Sequence, residues 1–519
     1  MSKLQTERQA AGDYRLDVKD FGPIARASIE LRPLTVLIGP SNTGKSYLAI
    51  LIYALHRCFA GRGAGTFQAS RRMLDLVGWD SDSLTPSPSL EKNLQEWLSM
   101  AFQTDTLPPI PAEVMSQVLS VLEQAEGPDK ALNEEIGRCF GVDHLSILSR
   151  QSGSPTRTRS STKIKLDIPW RTNVGKTRYE LQLKKSGVEL SGKLGDIKDL
   201  ATEIARFPDL DGPSSLMLKT MKSLRTQDRI ETSDLSSLFT RLVEVLLRLL
   251  LIPLRRPAYY LPADRTGFMN SHRVVVDTLV QGATTARLPP PSLDDAPLLS
   301  GVLADFLSQL LAMGLKQVFA PPKSSDLTER MEKSILGGAV RLETGTGYPH
   351  FAYRPTGWRD DLPLMRASSM VSELAPVVLY LRYLVRPGDV LIIEEPESHL
   401  HPAMQAVFAR ELARLARSGI RVVVTTHSEW LLDQFANLVR LSGLPEDERK
   451  EFPGADAALR PEQFGAWLFK PKQRPKGSVV EEIRVDPDAG GLLTDYSDIA
   501  EQLYNEWVGI GNRVTESGK

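Results

Sequence analysis

Residues 34–46 read Leu34-Thr-Val-Leu-Ile38-Gly39-Pro-Ser-Asn-Thr-Gly44-Lys45-Ser46, an apolar run followed by a loop bounded by glycines. The run has the length of a β-strand and the composition of a central strand covered on both faces. The loop fits the pattern G-x-x-x-x-G-K-[ST] completely, and the residues from Lys45 to about Arg57 suit a helix. Strand, loop and helix in this order predict a phosphate-binding turn within an α/β fold.

The residue types of this loop suit the phosphates of a nucleotide. Its glycines let backbone N–H groups curl around phosphate oxygens without a Cβ in the way. Lys45 would place a positive charge at the β and γ phosphates, and Ser46 would offer its hydroxyl to Mg²⁺. The helix that follows would present its N-terminus to the anion. We therefore predict that a nucleotide is bound by Gly39, Pro40, Ser41, Asn42, Thr43, Gly44, Lys45, Ser46 and Tyr47.

Two carboxylates follow a second apolar strand. Asp389–Ile393 leads directly into Glu394 and Glu395, and ligands gather at the carboxyl ends of strands in α/β sheets. One carboxylate can hold Mg²⁺ through its water shell, and the other can orient and polarise an attacking water, as phosphoryl transfer requires. Thirty-two residues past Glu395, a further apolar strand ends in Thr425-Thr-His-Ser428. His427 can therefore approach a γ-phosphate.

The overall charge gives no general attraction to nucleic acid. The 519 residues hold 63 Lys and Arg against 64 Asp and Glu, a net charge of −1, so any such contact needs a local patch. Residues 155–195 hold ten Lys and Arg against three Asp and Glu, and their alternation predicts a β-hairpin with a basic face. Both a solvated face and a DNA-facing patch fit this pattern.

Other compositional features narrow the class of protein. Two cysteines, Cys58 and Cys139, cannot form a disulfide framework. The N-terminus is polar, and the most apolar stretch, Leu242–Leu254, is too short and too charged to span a bilayer. These features predict a cytoplasmic protein with no membrane partner.

The rest of the chain falls into two kinds of sequence. Candidate helices in the middle of the chain are joined by segments rich in Pro and Ser (Glu91–Phe102, Ala112–Glu126 and Asp234–Ile252). The last segment alternates helices with strands: Ser368–Leu384, Asp389–Ile393, Pro402–Arg417, Arg421–Thr425 and Glu429–Phe435. Such β/α alternation with short joints is typical of a mostly parallel sheet.

With these residues assembled, the chain resembles ABC-type ATPases, in the soluble clade of OLD-family proteins, SMC-like repair ATPases and AAA ATPase subunits of bacterial anti-phage systems. The resemblance rests on Val18–Ile24, the loop 39–46, Tyr260–Arg265, Ser368-Ser369, Glu394-Glu-Pro-Glu-Ser-His-Leu-His-Pro402 and Thr425–Ser428. It covers the two ends of the chain and leaves the middle uncovered. The spacing of 349 residues between Lys45 and Glu394 is far longer than in a transporter head or an AAA+ module.

The resemblance implies an α/β P-loop NTPase with an ABC-type head, a mixed sheet flanked by helices. The head would be discontinuous, over residues 1–60 and 254–519. Residues 61–253 would form a mainly helical insertion, with the basic β-hairpin at about 155–195.

The same resemblance implies roles for residues near the carboxylates. Residues 39–46 would be the Walker A site for ATP, and Glu394 would take the place of the Walker B aspartate, holding Mg²⁺ together with Ser46. Glu395 would be the catalytic base, residues 397–402 the D-loop, and His427 the switch histidine, acting with Lys45 in catalysis.

Two further positions are implied by the resemblance. Ser369 falls where the ABC signature serine caps the γ-phosphate of the partner subunit, although Met370 stands where the family usually has glycine. Arg265 either contacts the nucleotide or stabilises the fold.

The function implied is an ATPase that dimerises around two Mg·ATP molecules and passes its nucleotide state to a separate effector protein, in anti-phage defence. One alternative is a DNA repair or maintenance ATPase that binds DNA through residues 155–195. Another, a module that holds ATP without turnover, is disfavoured by the intact Glu395. We expect no TOPRIM nuclease, because Asp486-Pro-Asp488 is the only candidate for its acidic motif and is typical of a turn.

Overall fold

The computed structural model describes residues 14–60, 88–104, 127–150, 162–169, 176–184, 187–193, 231, 233–240, 242, 254, 256–269, 299–319, 326–343, 349–473, 476–485 and 505–508. The predicted helix Ala112–Glu126, Arg171 in the basic segment and the Asp486-Pro-Asp488 turn lie outside these residues.

An eleven-stranded mixed sheet runs through the described residues. Its strands are β1 (Arg15–Phe21), β2 (Ile24–Glu30), β3 (Leu34–Ile38), β4 (Thr162–Pro169), β5 (Lys176–Lys184), β6 (Gly187–Lys193), β7 (Ala258–Leu261), β11 (Val390–Glu394), β12 (Arg421–Thr426), β13 (Phe464–Gln473) and β14 (Lys476–Ile483). They lie in the order β6-β5-β4-β1-β2-β14-β13-β3-β12-β11-β7. A separate three-stranded sheet holds β8 (Gly338–Glu343), β9 (His350–Pro355) and β10 (Leu362–Pro363).

Five neighbouring strands, from β13 to β7, are parallel. Every residue of β3, β11 and β12 is buried, as expected for parallel strands covered by helices on both faces. Because β12 pairs with β3 on one side and β11 on the other, the carboxyl ends of all three meet at one edge. The phosphate loop, the two carboxylates and His427 follow these ends.

Helices cover both faces of the sheet. On one face lie α1 (Lys45–Ala60), α2 (Pro88–Thr104) and α3 (Gly127–Phe140). The opposite face is covered by α6 (Ser369–Tyr383), α7 (Pro402–Arg417) and α8 (Glu429–Leu441). Further helices in the described part of the chain include α4 (Gly301–Phe319), α5 (Asp326–Met331) and α9 (Glu446–Arg449). Successive residues of β3 therefore serve two cores: Leu37 packs in the first, and Val36 and Ile38 pack in the second.

The predicted basic hairpin is part of a larger unit. Strands β4, β5 and β6 form an antiparallel meander, and β4 also pairs antiparallel with β1, with Ile164 opposite Val18. Ile164, Leu166 and Leu181 are buried in the same core as α1. The sequence predicted two strands within an insertion, whereas the structure has three strands that continue the main sheet. Much of 61–253 lies outside the described residues, so the boundaries of that domain stay a prediction.

Strands β13 and β14 were missed by the sequence analysis, which predicted no strand after Thr425. Strand β13 lies beside β3, with Phe464–Leu468 in parallel register with Leu34–Ile38. In the part of the chain that the structure describes, no helix combines the length and apolarity needed to cross a membrane.

Candidate functional site

The loop between β3 and α1 has a backbone that requires its two glycines. Gly39 and Gly44 have φ angles of 145° and 101°, a region that residues with a Cβ rarely adopt. A Cβ on Gly39 would lie 2.7 Å from the carbonyl oxygen of Phe469, and one on Gly44 would lie 2.7 Å from Cγ1 of Ile24. Pro40, Ser41, Asn42 and Ser46 are exposed, so the outer side of the loop is open to a ligand.

Lys45 bends back onto its own loop. Its Nζ donates to the carbonyl oxygens of Gly39 (2.7 Å) and Pro40 (2.9 Å), and Thr43 Oγ1 also donates to Pro40 O at 2.7 Å. Burial lowers the pKa of Lys45 to about 8, although Glu395 and the neighbouring carboxylates oppose the fall. The ammonium is therefore held in a low-dielectric setting by neutral acceptors that a phosphate can replace.

Tyr47 is placed differently from the other predicted nucleotide contacts. Its ring packs against Phe21 and Phe140, with ring centroids 6.0 Å and 5.5 Å apart. The ring therefore packs against the core beneath α1, a contact that no local pattern in the sequence indicates.

Glu394 ends β11 beside the start of α1. Its Oε2 accepts from the backbone N–H of Ala263 at 3.3 Å, while its Oε1 is buried and has no hydrogen-bond partner among the described residues. Burial raises the pKa of this carboxyl, and the hydroxyls of Ser46 and Tyr260 lie close enough to oppose the rise.

These groups fit Mg²⁺. An unpaired carboxylate oxygen next to the Ser46 hydroxyl offers two oxygen ligands, and Mg²⁺ takes its remaining ligands from water and phosphate. No group of three or more His, Cys, Asp or Glu side chains in the described residues can form a metal cage.

Glu395 and His427 lie side by side across the ends of β11 and β12. Glu395 Oε1 is 3.4 Å from His427 Nε2. The contact with His427 is the main reason why the pKa of Glu395 lies below its ordinary value. The positive charges of Lys45 and Arg265 lower this pKa further, whereas burial raises it. The carboxylate is thus ionised at neutral pH, half-buried and close to the phosphate loop, which suits the orientation of a water molecule.

Glu397 positions the turn that carries His427. Its Oε1 accepts from the Thr426 hydroxyl at 2.7 Å and from the backbone N–H of His427 at 2.6 Å. Glu397 lies in the predicted D-loop, but its contact with His427 depends on the pairing of β11 with β12 and could not be predicted from the local sequence.

Arg265 is fully buried and contacts no loop residue in 39–47 among its hydrogen bonds. Its guanidinium donates to the carbonyl oxygens of Glu394 at 2.6 Å and Glu395 at 3.3 Å. Of the two alternatives that the sequence left open for Arg265, these contacts favour stabilisation of the fold.

The start of α6 is open to the surface. Ser368 caps the helix by accepting from the backbone N–H of Val371 at 3.4 Å. Ser369, the first residue of the helix, is exposed, and Met370 packs partly against the core. Ser369 lies on a different element from the loop 39–47, and its contact with a nucleotide stays a prediction.

On the basic face of the meander, the described cations are paired with acidic side chains. Lys165 lies 3.4 Å and Lys163 3.9 Å from Glu180, and Arg178 makes two hydrogen bonds to Asp167, at 2.6 Å and 2.8 Å. Such cross-strand pairs are a common feature of solvated sheet faces.

Comparison with known proteins gives one family model and several solved structures. A model described as "AAA domain, putative AbiEii toxin, Type IV TA system" matches residues 176–433, which include β11 and β12 but begin after the phosphate loop. A search of curated proteins gave no match.

Heads of SMC proteins are among the similar solved structures. One is an SMC head domain from Thermotoga maritima, with 12% identity and a TM-score of 0.34 over 91% of this chain and 98% of that chain. Another is an Smc head domain with an extended coiled coil, bound to the C-terminal domain of ScpA, from Pyrococcus furiosus; it has 11% identity and a TM-score of 0.36 over 94% and 98%. The fold assignment comes from the strand order and loop of this chain itself.

The loop 39–46 and the parallel strands that end at it define the class: the chain has the α/β fold of P-loop NTPases. This class uses a nucleotide, usually together with Mg²⁺.

Proposed function

We propose that this protein binds Mg·ATP at residues 39–47 and hydrolyses it with Glu395 as the catalytic base. The observation that carries the proposal is the contact of 3.4 Å between Glu395 and His427. It lies at the same sheet edge as the phosphate loop, because β12 separates β3 from β11 by a single strand.

Each side chain has a distinct part in the proposed reaction. Lys45 exchanges two loop carbonyls for phosphate oxygens when ATP binds. Ser46 and Glu394 hold Mg²⁺, which neutralises charge on the phosphates. Glu395 orients the attacking water and takes its proton, and His427 approaches the γ-phosphate from the neighbouring strand.

Substitution of Glu395 separates binding from chemistry. Glu395→Gln keeps the size of the side chain but cannot accept a proton, so we expect kcat to fall about 100-fold or more while ATP affinity stays within about threefold. Phosphate release and fluorescent-nucleotide binding measure the two effects on one preparation. Glu448→Gln, an exposed carboxylate on α9, is the matched control. Equal rates for Glu395→Gln and the parent would remove Glu395 from the mechanism.

We further propose that ATP joins two copies of the chain. In the clade that the sequence resembles, the serine at the start of the signature helix caps the γ-phosphate of the partner subunit. The exposure of Ser369 at the N-terminus of α6 supports this role, since a helix N-terminus favours an anion. Hydrolysis would then open the dimer and convert nucleotide state into a change of assembly.

The proposed biological role is that of an ATPase subunit that signals to a separate effector in anti-phage defence. Its support is the resemblance of Glu394–Pro402 to the ATPase subunits of such systems. Co-purification from cells, with Glu395→Gln to hold the ATP-bound state, tests it: enrichment of the same effector with this variant over the parent is expected, and equal recovery would contradict coupling to nucleotide state.

A further inference from the structure

Arg265 forms a buried junction between three elements. It lies four residues beyond the end of β7, and its Nη1 also donates to the carbonyl oxygen of Pro262 at 3.0 Å. Its Nε donates to the carbonyl oxygen of Glu373 on α6 at 3.0 Å, and its Nη2 lies 2.5 Å from the Glu373 carboxylate. The relative exposure of the two side chains is 0% and 1%.

The junction reaches the residues that end β11. Arg265 donates to the carbonyl oxygens of both Glu394 and Glu395. Glu395 has a φ angle of 41°, a left-handed conformation that costs free energy in a residue with a side chain and persists only where the surroundings enforce it. Its backbone N–H is bonded to the carbonyl oxygen of Thr425 at 2.9 Å, so Arg265 and β12 hold the two sides of this residue.

The same junction leads to the start of α6. Glu373 lies four residues after Ser369, which places the two side chains one turn apart on the same helix. Thr266 donates its hydroxyl to the second oxygen of the Glu373 carboxylate, so the carboxylate is held at both oxygens. Glu373 Oε1 contacts Arg265 as an ion pair and has no hydrogen-bond partner among the described residues, and a buried pair of this kind is a weak source of net stability.

We propose that Arg265 and Glu373 are positioning residues that couple the position of α6 to the backbone of Glu395. Both side chains are buried, and none of their hydrogen bonds involves the loop 39–47. Ser369 would meet the partner's nucleotide at the start of α6. A displacement of this part of α6 would move Glu373 and Arg265, and through them the backbone of Glu395. This inference rests on the proposed function, since it assigns to Glu395 the activation of water.

Replacement of both members of the pair tests the inference without leaving a buried charge. Arg265→Met/Glu373→Leu exchanges the pair for apolar side chains of similar volume, an exchange that proteins often tolerate. We expect ATP affinity to stay within about threefold and kcat to fall about 10- to 100-fold, because small misplacement of a catalytic group is costly. Arg265→Lys keeps the charge but loses the forked donor geometry, and an intermediate kcat is expected.

A matched control separates positioning from general loss of packing. Arg421→Met removes another buried arginine that donates to a backbone carbonyl, that of Leu31 at 3.0 Å, at the opposite end of β12 from His427. Its kcat per folded molecule should match the parent. An equal fall of kcat in this control, or loss of ATP binding in the pair variant, would overturn the proposal.

A crystal structure of the pair variant gives a readout that does not depend on turnover. We expect Glu395 to leave its left-handed conformation and to separate from His427. An unchanged Glu395 would overturn the inference, even in a protein that hydrolyses ATP. If the parent hydrolyses no ATP, the proposed function fails, and the backbone of Glu395 in the variant still decides whether Arg265 and Glu373 position it.

Discussion

In the nucleotide-free chain, Lys45 holds a proton that burial makes easy to lose. Its pKa is lowered to about 8, whereas a phosphate beside the ammonium would favour the charged form and raise the pKa. Binding of Mg·ATP and protonation of Lys45 are therefore linked. The affinity for Mg·ATP should therefore be greatest below pH 8, where Lys45 is charged, and should weaken as the pH rises through the pKa of Lys45 in the nucleotide-free chain.

This linkage predicts an uptake of protons that calorimetry can measure. At pH 8 about half a proton should be taken up for each Mg·ATP bound, and almost none at pH 6.5, where Lys45 is already charged. Titrations in two buffers with different ionisation enthalpies give the number directly. Identical binding heats in both buffers at pH 8 would show that Lys45 does not change its protonation on binding.

At the scale of elements, the meander β4–β6 shares a sheet and a hydrophobic core with α1, the helix that follows the phosphate loop. Strand β4 pairs with β1, and Leu166 is buried in one core with Leu48 and Ile52 of α1. Loss of packing in β4 should therefore lower the stability of the whole sheet, including the strands at the ATP site.

Leu166→Ala tests this shared core. We expect a loss of about 2–5 kcal/mol, the usual cost of such a cavity, with the meander and the ATP site unfolding in one transition. Lys165→Ala, on the opposite face of the same strand, should change stability by only about 0.5 kcal/mol. Denaturation followed by far-UV circular dichroism and by nucleotide fluorescence measures both changes. An early transition confined to one signal would instead assign the meander to a separate domain.

The outer face of this meander bears on the DNA-binding alternative. Because Lys163 and Lys165 share Glu180, and Arg178 is paired with Asp167, few of the described cations are available to phosphates. We expect Lys163→Glu/Lys165→Glu to change DNA affinity at low salt by less than about twofold, because these lysines would make no contact with phosphate. A lysine that does contact phosphate contributes both to affinity and to its dependence on salt. A loss of tenfold or more, with a reduced salt slope, would favour the DNA maintenance function.

The local sequence was sufficient to predict those strands and helices whose pattern lies within a single segment. The strand before Gly39, the helix after it and the alternation from Ser369 to Leu441 follow from periodicity and turn chemistry, and the structure confirms them within a few residues. Strands β13 and β14 were missed although Phe464–Phe469 is largely apolar, because their place beside β3 depends on residues 430 positions away.

The contacts within the candidate site were less predictable for the same reason. Glu394, Glu395 and His427 follow strands, so parallel pairing alone brings them together. Arg265 and Glu373 are separated by 108 residues, and a buried glutamate within an apolar helix gives no local sign of its partner. Tyr47 follows the phosphate loop directly, but its ring is drawn into the core by Phe21 and Phe140.

At the scale of the whole molecule, the proposed dimer needs two exposed elements, the phosphate loop and the start of α6. The loop residues Ser41 and Asn42 and the helix start at Ser369 are all exposed. Under the proposed function, ATP closes two copies of this chain around the nucleotide, and Glu395 is needed to open them.

The most direct test is the mass in solution of Glu395→Gln, measured with and without Mg·ATP, together with the ratio of bound ATP to protein. We predict a monomer without nucleotide and a stable dimer with one ATP bound per chain, while the parent returns to the monomer as its ATP is consumed. The same mass with and without Mg·ATP would contradict the ATP-driven clamp.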